Sequence, residues 1–262
     1  MTVELHNLAA LRRLRAAGRL AADTLDFITP YVKPGITLLE LDYLCHCYIT
    51  DNNAVPAPLN YQGYPRSICT SVNHVVCHGI PSDKKLEDGD IINIDVTVIL
   101  DDYHGDSSRM YYVGAAGTKV RRLCETTYQA MMAGIEAIKP YGYTGDIGAA
   151  IQQVAAKAGY SVVKEFCGHG IGKIFHGDPQ ILHWGIPNTG TQILPGMCFT
   201  VEPMLNAGKD SVKLLSDGWT VVTKDRQPSA QFEHQIYVTE TGYEILTTSD
   251  RGLHFPPYNS TQ

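Results

Sequence analysis

Apolar residues recur at helical spacing near the start of the chain, with Leu8, Leu11, Leu14 and Leu25 among them, and predict an amphipathic helix over residues 8–31. Lys33-Pro34-Gly35 terminates it. Thr37-Leu38-Leu39-Glu40 has the form of a capping box and opens a second helix to about residue 50. A Pro- and Asn-rich stretch over residues 51–65 reads as loop. Strand patterns follow over 66–72 and 90–113, then helical patterns over 119–138 and 146–158. Strands recur near 162–166, 197–205, 219–223 and 233–238. Helices and strands followed by helices and strands suit two α+β halves, although no close sequence repeat is visible. No low-complexity linker divides the chain, so one domain is expected over residues 1–250, with residues 251–262 as a C-terminal tail.

The segment Asp90-Ile91-Ile92-Asn93-Ile94-Asp95-Val96-Thr97-Val98 alternates with a period of two. Ile92, Ile94, Val96 and Val98 share one face of the strand, and Asn93, Asp95 and Thr97 share the other. By itself this is compatible with a half-exposed strand whose polar side faces water. Asp106 alters that reading. Leu100-Asp101-Asp102-Tyr103 looks like a hairpin connection to a second strand running through Arg109-Met110-Tyr111-Tyr112-Val113. Across a loop of even length, antiparallel partners have position numbers that sum to an odd number, as do Asp95 and Asp106. The two carboxylates therefore share a sheet face, opposite or diagonal to one another. Like charges so placed raise each other's pKa, and a bound dication removes the penalty.

Composition narrows the function classes. The 262 residues are 44% hydrophobic, ordinary for a globular protein. No apolar run approaches the roughly 18–20 residues that a membrane span needs. Residues 1–26 are rich in Ala, Leu and Arg, as transit peptides are, but Glu4, Asp23 and Asp26 interrupt them with acid. A net charge of −6 and a pI near 5.9 argue against nucleic-acid binding, which needs a basic face. Arg12-Arg13-Leu14-Arg15 and Lys119-Val120-Arg121-Arg122 are expected to be solvated helix faces, with weak steering toward an anionic surface such as a ribosome. The seven cysteines are odd in number and mostly set in apolar stretches, which indicates small buried hydrophobes in a reducing, cytoplasmic setting. Cys45-His46-Cys47 lies in a helical pattern without a second cysteine pair and is expected to be core rather than a metal site.

Three further segments carry candidate chemistry. Cys167-Gly168-His169-Gly170-Ile171-Gly172 interleaves one imidazole with three glycines, which would let a turn carry the ring into a crowded place. A phosphate loop is the competing reading, but the lysine-serine ending and the G-x-G-x-x-G spacing are both missing. Thr200-Val201-Glu202-Pro203 puts Glu202 on the face of Thr200, and the proline ends the strand. Gln231-Phe232-Glu233-His234-Gln235 sets another acid within a strand, with Gln231 and Gln235 on its side. Either glutamate alone would more often be a surface residue. Together, Asp95, Asp106, His169, Glu202 and Glu233 offer four negative charges and one imidazole, matched by two divalent cations. Oxygen-rich ligation without thiolate favours manganese, iron, cobalt or zinc.

At these residues the chain resembles the type I methionine aminopeptidases. Asn93-x-Asp95, His104-Gly105-Asp106, Gly168-His169-Gly170-Ile171-Gly172, Thr200-x-Glu202-Pro203 and Gln231-Phe232-Glu233-His234 are similar to that family's ordered motifs, as is Val76-Cys77-His78-Gly79-Ile80-Pro81. The likeness runs from about residue 8 to residue 248. It implies the α+β pita-bread fold, two pseudo-symmetric halves around a central antiparallel sheet with helices outside. It also implies removal of initiator methionine from nascent proteins and peptides, preferentially ahead of a small second residue, by a monomer holding two divalent metals. Within that resemblance Asp95 and His169 would each serve one metal, Asp106 and Glu233 would bridge, and Glu202 would bind on the histidine side and shuttle protons. His78 and His176 would contact substrate and catalyse, His78 at the scissile amide and His176 at the oxyanion. Tyr61, Tyr64, Cys69, Phe175 and Trp219 would line the methionine pocket, and Asn73, Val75 and Ser229 would hold a monovalent cation.

The chain departs from the family pattern at two positions. Pro58 stands where a small residue or cysteine is usual, and Gly177 follows His176 where an acid is common. Both bear on substrate preference. No zinc-finger or proline-rich extension precedes Leu8, which suits the short subtype. Xaa-Pro peptidases resemble the chain in the same five ligands but usually carry a separate N-terminal domain. A non-catalytic binding module on the same fold would be expected to have lost ligands.

Overall fold

A computed structural model describes residues 3–258. Four α-helices run through it: α1 (Leu8–Ile28), α2 (Leu38–Asp51), α3 (Thr118–Glu136) and α4 (Thr144–Ala158). The strands of the first half are β1 (Val55–Pro56), β2 (Cys69–Val72), β3 (Val75–Cys77), β4 (Ile91–Leu100) and β5 (Tyr103–Tyr112). Those of the second half are β6 (Ser161–Val162), β7 (Gly168–Gly170), β8 (Gly177–Ile181), β9 (Cys198–Val201), β10 (Met204–Asn206), β11 (Val212–Leu214), β12 (Val221–Thr223), β13 (Ser229–Gln231), β14 (His234–Val238) and β15 (Tyr243–Ile245).

Local chemistry accounts for the helix boundaries. Asn7 caps α1 by accepting from the backbone N–H groups of Ala9 and Ala10. The capping box of α2 forms as predicted: Thr37 Oγ1 accepts from Glu40 N at 3.1 Å, and Glu40 Oε2 accepts from Thr37 N at 2.8 Å. Gly159 ends α4 in the left-handed conformation at φ +81°.

The long hairpin β4–β5 pairs Leu100 with Tyr103, so its loop is the two residues Asp101 and Asp102, at φ +49° and +69°. Such a turn matches the right-handed twist of the strands it joins. Asp106 is opposite Thr97 and therefore diagonal to Asp95. Ile92, Ile94, Val96 and Val98 pack with Leu25, Ile28, Leu41 and Ile49 of α1 and α2 in one apolar cluster. The other face of the strand is left for Asn93, Asp95 and Thr97. Helices α3 and α4 cover the second half in the same manner, packing Leu123, Met131, Ile147 and Ile151 with Phe199, Val201 and Ile236.

Two antiparallel sheets dominate. One has the order β1-β4-β2 with β5 also paired to β4, and the other the order β15-β14-β9-β7-β8. They meet where Ser108 bridges to Glu233, with Glu233 N donating to Ser108 O at 3.1 Å. The halves thus face one another with their helices outside, which is the α+β pita-bread arrangement.

Several features depart from the sequence expectation. Strand 197–205 is broken at Glu202-Pro203 into β9 and β10, and strand 233–238 begins only at His234. Trp219 lies in a loop ahead of β12, and of residues 162–166 only Val162 joins a strand, with Ser161 before it. The glycine-flanked histidine sits on strand β7 rather than on a turn. Cβ atoms at Gly168 and Gly170 would come within 2.2 Å of Thr200 O and 2.0 Å of Asp178 O, so these glycines serve close strand approach. The C-terminal tail, about which the sequence pattern is silent, is docked as far as it is described. Leu253 is buried, Phe255 packs on the second-half core, and Tyr258 donates to Met110 O at 2.8 Å; residues 259–262 lie outside the described residues.

Cysteines 45, 69, 77, 124 and 198 are buried and all seven are free, in line with their reading as small hydrophobes. Arg12, Arg13, Arg15, Lys119, Arg121 and Arg122 are exposed, as expected of solvated helix faces.

Gly105 lets α1 lie directly against β5, one residue from Asp106: a Cβ there would sit 2.1 Å from the carbonyl of Ala17. Gly105→Ala must push the helix off the sheet, and overpacking of that kind costs about 1–3 kcal/mol or more. Urea denaturation is expected to show that loss, and an unchanged midpoint would contradict the packing described.

Candidate active site

The five residues singled out in the sequence converge on one cavity of about 360 Å³. Asp95 reaches it from β4, Asp106 from β5, His169 from β7, Glu202 from the break after β9, and Glu233 from the break before β14. Donor atoms of Asp106, His169 and Glu233 all lie within 4.8 Å of one another. His169 Nε2 stands 3.6 Å from Asp106 Oδ2 and 3.6 Å from Glu202 Oε1. Those separations exceed a hydrogen bond. They approach the roughly 3–3.5 Å between two ligands that each sit about 2.0–2.2 Å from a common ion.

Neighbouring groups fix the orientation of each donor. Thr97 Oγ1 donates to Asp106 Oδ1 at 2.7 Å, and Asp106 N donates to Gln235 Oε1 at 3.0 Å. Thr200 Oγ1 accepts from His169 N at 3.0 Å and donates to Glu202 Oε1 at 2.7 Å, tying the His169 backbone to the carboxylate. Gln231 Nε2 donates to Glu202 Oε2 at 3.3 Å. His169 Nδ1 lies 3.2 Å from Gly170 O, which can only accept. The proton is thereby placed on Nδ1, and Nε2 presents a lone pair to the cavity, the form a metal-ligating histidine takes.

The electrostatics point the same way. Burial pushes Asp95 up to about 7. Asp106 is held well above the carboxylate range, first by burial and then by Asp95. Glu202 and Glu233 are raised likewise, by burial first and next by Asp106. Burial lowers His169 to about 4, which keeps the ring neutral. Acids that repel one another in a largely buried cavity beside a neutral imidazole fit a pair of dications, whose four positive charges would neutralise the four carboxylates.

All the residues expected around this centre line the same cavity: Tyr61, Tyr64, Cys69, His78, Phe175, His176 and Trp219. The Tyr64 hydroxyl lies 3.0 Å from both Ile68 O and Gly79 O and shares its one proton between them, which places the ring. His78 has φ +55°, an uncommon conformation for a residue with a Cβ. Its ring meets Phe166 and Trp219 edge-on, at 5.4 Å and 6.2 Å between centroids. Burial lowers its pKa. His176, at the open side, is lowered by desolvation and then by the neighbouring imidazoles. Pro58 lines the cavity, whereas Gly177 pairs with Gly170 in the β7–β8 register and does not. Asn73 and Ser229 are adjacent, with Ser229 N donating to Asn73 O at 2.8 Å, and Val75 follows in β3.

Several site residues escaped the sequence reading. His183 is fully buried and accepts from Glu202 N through Nε2 at 3.2 Å; nothing in its local sequence marks it. His104 Nδ1 is 3.0 Å from Gly172 O and steadies the loop that leads to Phe175 and His176. Gln62, Cys77, Glu165, Phe166, Cys167 and Met204 complete the lining. Cys167 opens the glycine-histidine segment singled out in the sequence, and Phe166, which directly precedes it, could have been anticipated with it.

The model of metallopeptidase family M24 matches residues 12–240. A methionine aminopeptidase from Rickettsia prowazekii is 58% identical over 259 residues, covering 98% of this chain and 100% of the relative. The crystal structure of methionine aminopeptidase from that organism superposes with a TM-score of 0.94 at 57% identity, over 94% of this chain and all of the other. A prolidase from Pyrococcus furiosus shares the fold at a TM-score of 0.74 and 20% identity, with 94% of this chain matched to 66% of that longer one.

The raised carboxylate pKa values carry a sign for stability. Between an unfolded value of roughly 4 and the folded value near 7 for Asp95, the folded protein holds protons that the unfolded chain has released. Stability of the chelator-treated protein should therefore fall as pH rises through that window. Dications remove the repulsion, so loaded protein should keep its melting temperature, and binding should release protons. Parallel melting curves for chelated and loaded protein across the window would contradict this.

Proposed function

The chain belongs to metallopeptidase family M24, and from its 58% identity to a methionine aminopeptidase over nearly its whole length we propose that it acts as one, removing the N-terminal methionine of peptides and nascent proteins. The observation that carries the reading is the convergence of Asp95, Asp106, His169, Glu202 and Glu233 in one buried cavity walled by aromatic side chains. The chemistry is a hydrolysis that clips one residue from a free amino terminus, preferentially ahead of a small second residue.

Two divalent ions, drawn from cobalt, manganese, iron or zinc, would be held by those five residues. Asp95 would serve one ion and His169 with Glu202 the other, with Asp106 and Glu233 shared between them. When bound, such a pair lowers the pKa of water toward neutrality and polarises a carbonyl.

The chain's own groups do the rest. Glu202 accepts the proton of the attacking water and delivers it to the leaving amine. Its link to Thr200 holds one carboxylate oxygen in place during the transfer. His78 hydrogen-bonds the scissile amide, and its strained backbone holds the ring in the cavity wall. His176 donates to the oxygen on which negative charge develops. Tyr61, Tyr64, Cys69, Phe175 and Trp219 enclose the methionine side chain, whose sulfur gains from aromatic edges at about 5 Å. Pro58 narrows the same wall and is placed to bear on substrate preference.

On the same reading the protein works as a monomer in the cytoplasm and touches the ribosome only transiently. A monovalent cation beside Asn73, Val75 and Ser229 would stiffen the junction of β3 and β13. No helix among the described residues is long and apolar enough to cross a membrane.

Metal-free protein is expected to regain cleavage of Met-Gly-Met when manganese or cobalt is added, while Gly-Pro stays intact. Cleavage of Gly-Pro instead would favour an Xaa-Pro peptidase, and no turnover with any of the four metals would favour a binding module.

A further inference from the structure

Tyr61 and His176 come from opposite halves of the chain and meet at the open side of the cavity, where the Tyr61 hydroxyl lies 2.9 Å from His176 Nδ1. The plane of the His176 ring is already fixed. It stacks on Phe175 at 4.0 Å between centroids and 23° between planes, and Phe175 stacks in turn on His104 at 5.2 Å and 18°. The Tyr61 ring lies against both Phe175 and His176, at 5.0 Å and 5.2 Å. What stacking leaves open is which ring nitrogen carries the proton.

We propose that the Tyr61 hydroxyl sets the tautomer of His176, donating into Nδ1 so that the single proton of the neutral ring resides on Nε2. The inference rests on the reading that His176 stabilises the oxyanion. A neutral imidazole has one N–H. With that hydrogen on Nδ1, the ring would donate to the phenol and turn a bare lone pair on Nε2 toward an oxygen gaining negative charge. With Tyr61 as donor, Nε2–H faces that oxygen ready to donate. Among the described residues His176 Nδ1 is the one hydrogen-bond partner of the Tyr61 hydroxyl, so the phenol proton has an acceptor there. Tyr61 is thus a positioning residue as well as a pocket wall. The bond also spans the two halves of the chain.

Tyr61→Phe removes the hydroxyl and keeps the ring contacts. Losing one such hydrogen bond should lower kcat about tenfold with KM nearly unchanged. His176→Ala should lower kcat by about 10²–10³ with dication affinity nearly intact, and adding Tyr61→Phe to it should cost nothing more. Nitrogen-15 spectra of the metal-free protein give a readout independent of turnover: His176 should be the Nε2–H form in the wild type and lose that preference in Tyr61→Phe. An Nδ1–H ring in the wild type would overturn the proposal. So would a Tyr61→Phe effect on KM alone, or one equally large in the His176→Ala background. If His176→Ala lowers kcat and Tyr61→Phe does not, the tautomer assignment fails while the oxyanion role stands. If His176→Ala leaves kcat unchanged, both fall.

Discussion

Four carboxylates brought into one buried cavity repel one another, and the rest of the chain is arranged so that they cannot move apart. Water would relieve the repulsion, but Ile92, Ile94, Val96 and Val98 pin β4 beneath two helices, and burying such side chains is worth about 1.5–3 kcal/mol each. The acids on the opposite face are carried along. Thr97, Thr200 and Gln231 then hold individual carboxylate oxygens, and Gln235 holds the Asp106 backbone, so rotation away from the centre would break hydrogen bonds. A cavity built this way is unfavourable in isolation and favourable around positive charge. Such stored cost is a common mark of functional sites.

The meeting of the two halves follows from the same constraint. Asp95 and Asp106 belong to one hairpin; His169, Glu202 and Glu233 come from the other half, and the bridge from Ser108 to Glu233 brings them together. Neither half holds the full donor set. Tyr61 and His176 repeat the pattern at the outer rim, one residue from each side. Chemistry at the interface therefore depends on the halves being docked, which ties activity to folding of the whole chain.

Much of this was legible in the residues because alternation and parity are strict in antiparallel strands. The period-two pattern of β4 and the even loop after Leu100 placed Asp95 and Asp106 on one face without knowledge of the partner sheet. The capping box of α2 was readable for a similar reason, since it is a purely local hydrogen-bond arrangement. Where partners are distant the signal fades. Strand β7 is a strand only because β8 and β9 flank it, and its glycines were mistaken for a turn. His183 supports Glu202 across 19 positions of sequence with nothing nearby to announce it. Residues 251–258, read as a tail, bury Leu253 and fasten Tyr258 to Met110 O of β5 at 2.8 Å, contacts with distant partners that their own sequence does not announce.

On the proposed reading this cavity is shaped for a pair of dications. Anomalous diffraction from crystals soaked in manganese would test it most directly. Two peaks among Asp95, Asp106, His169, Glu202 and Glu233, with Asp106 and Glu233 touching both, are the expected outcome. Peaks only elsewhere on the protein, or a single ion bound by His169 with Asp95 turned away, would contradict it.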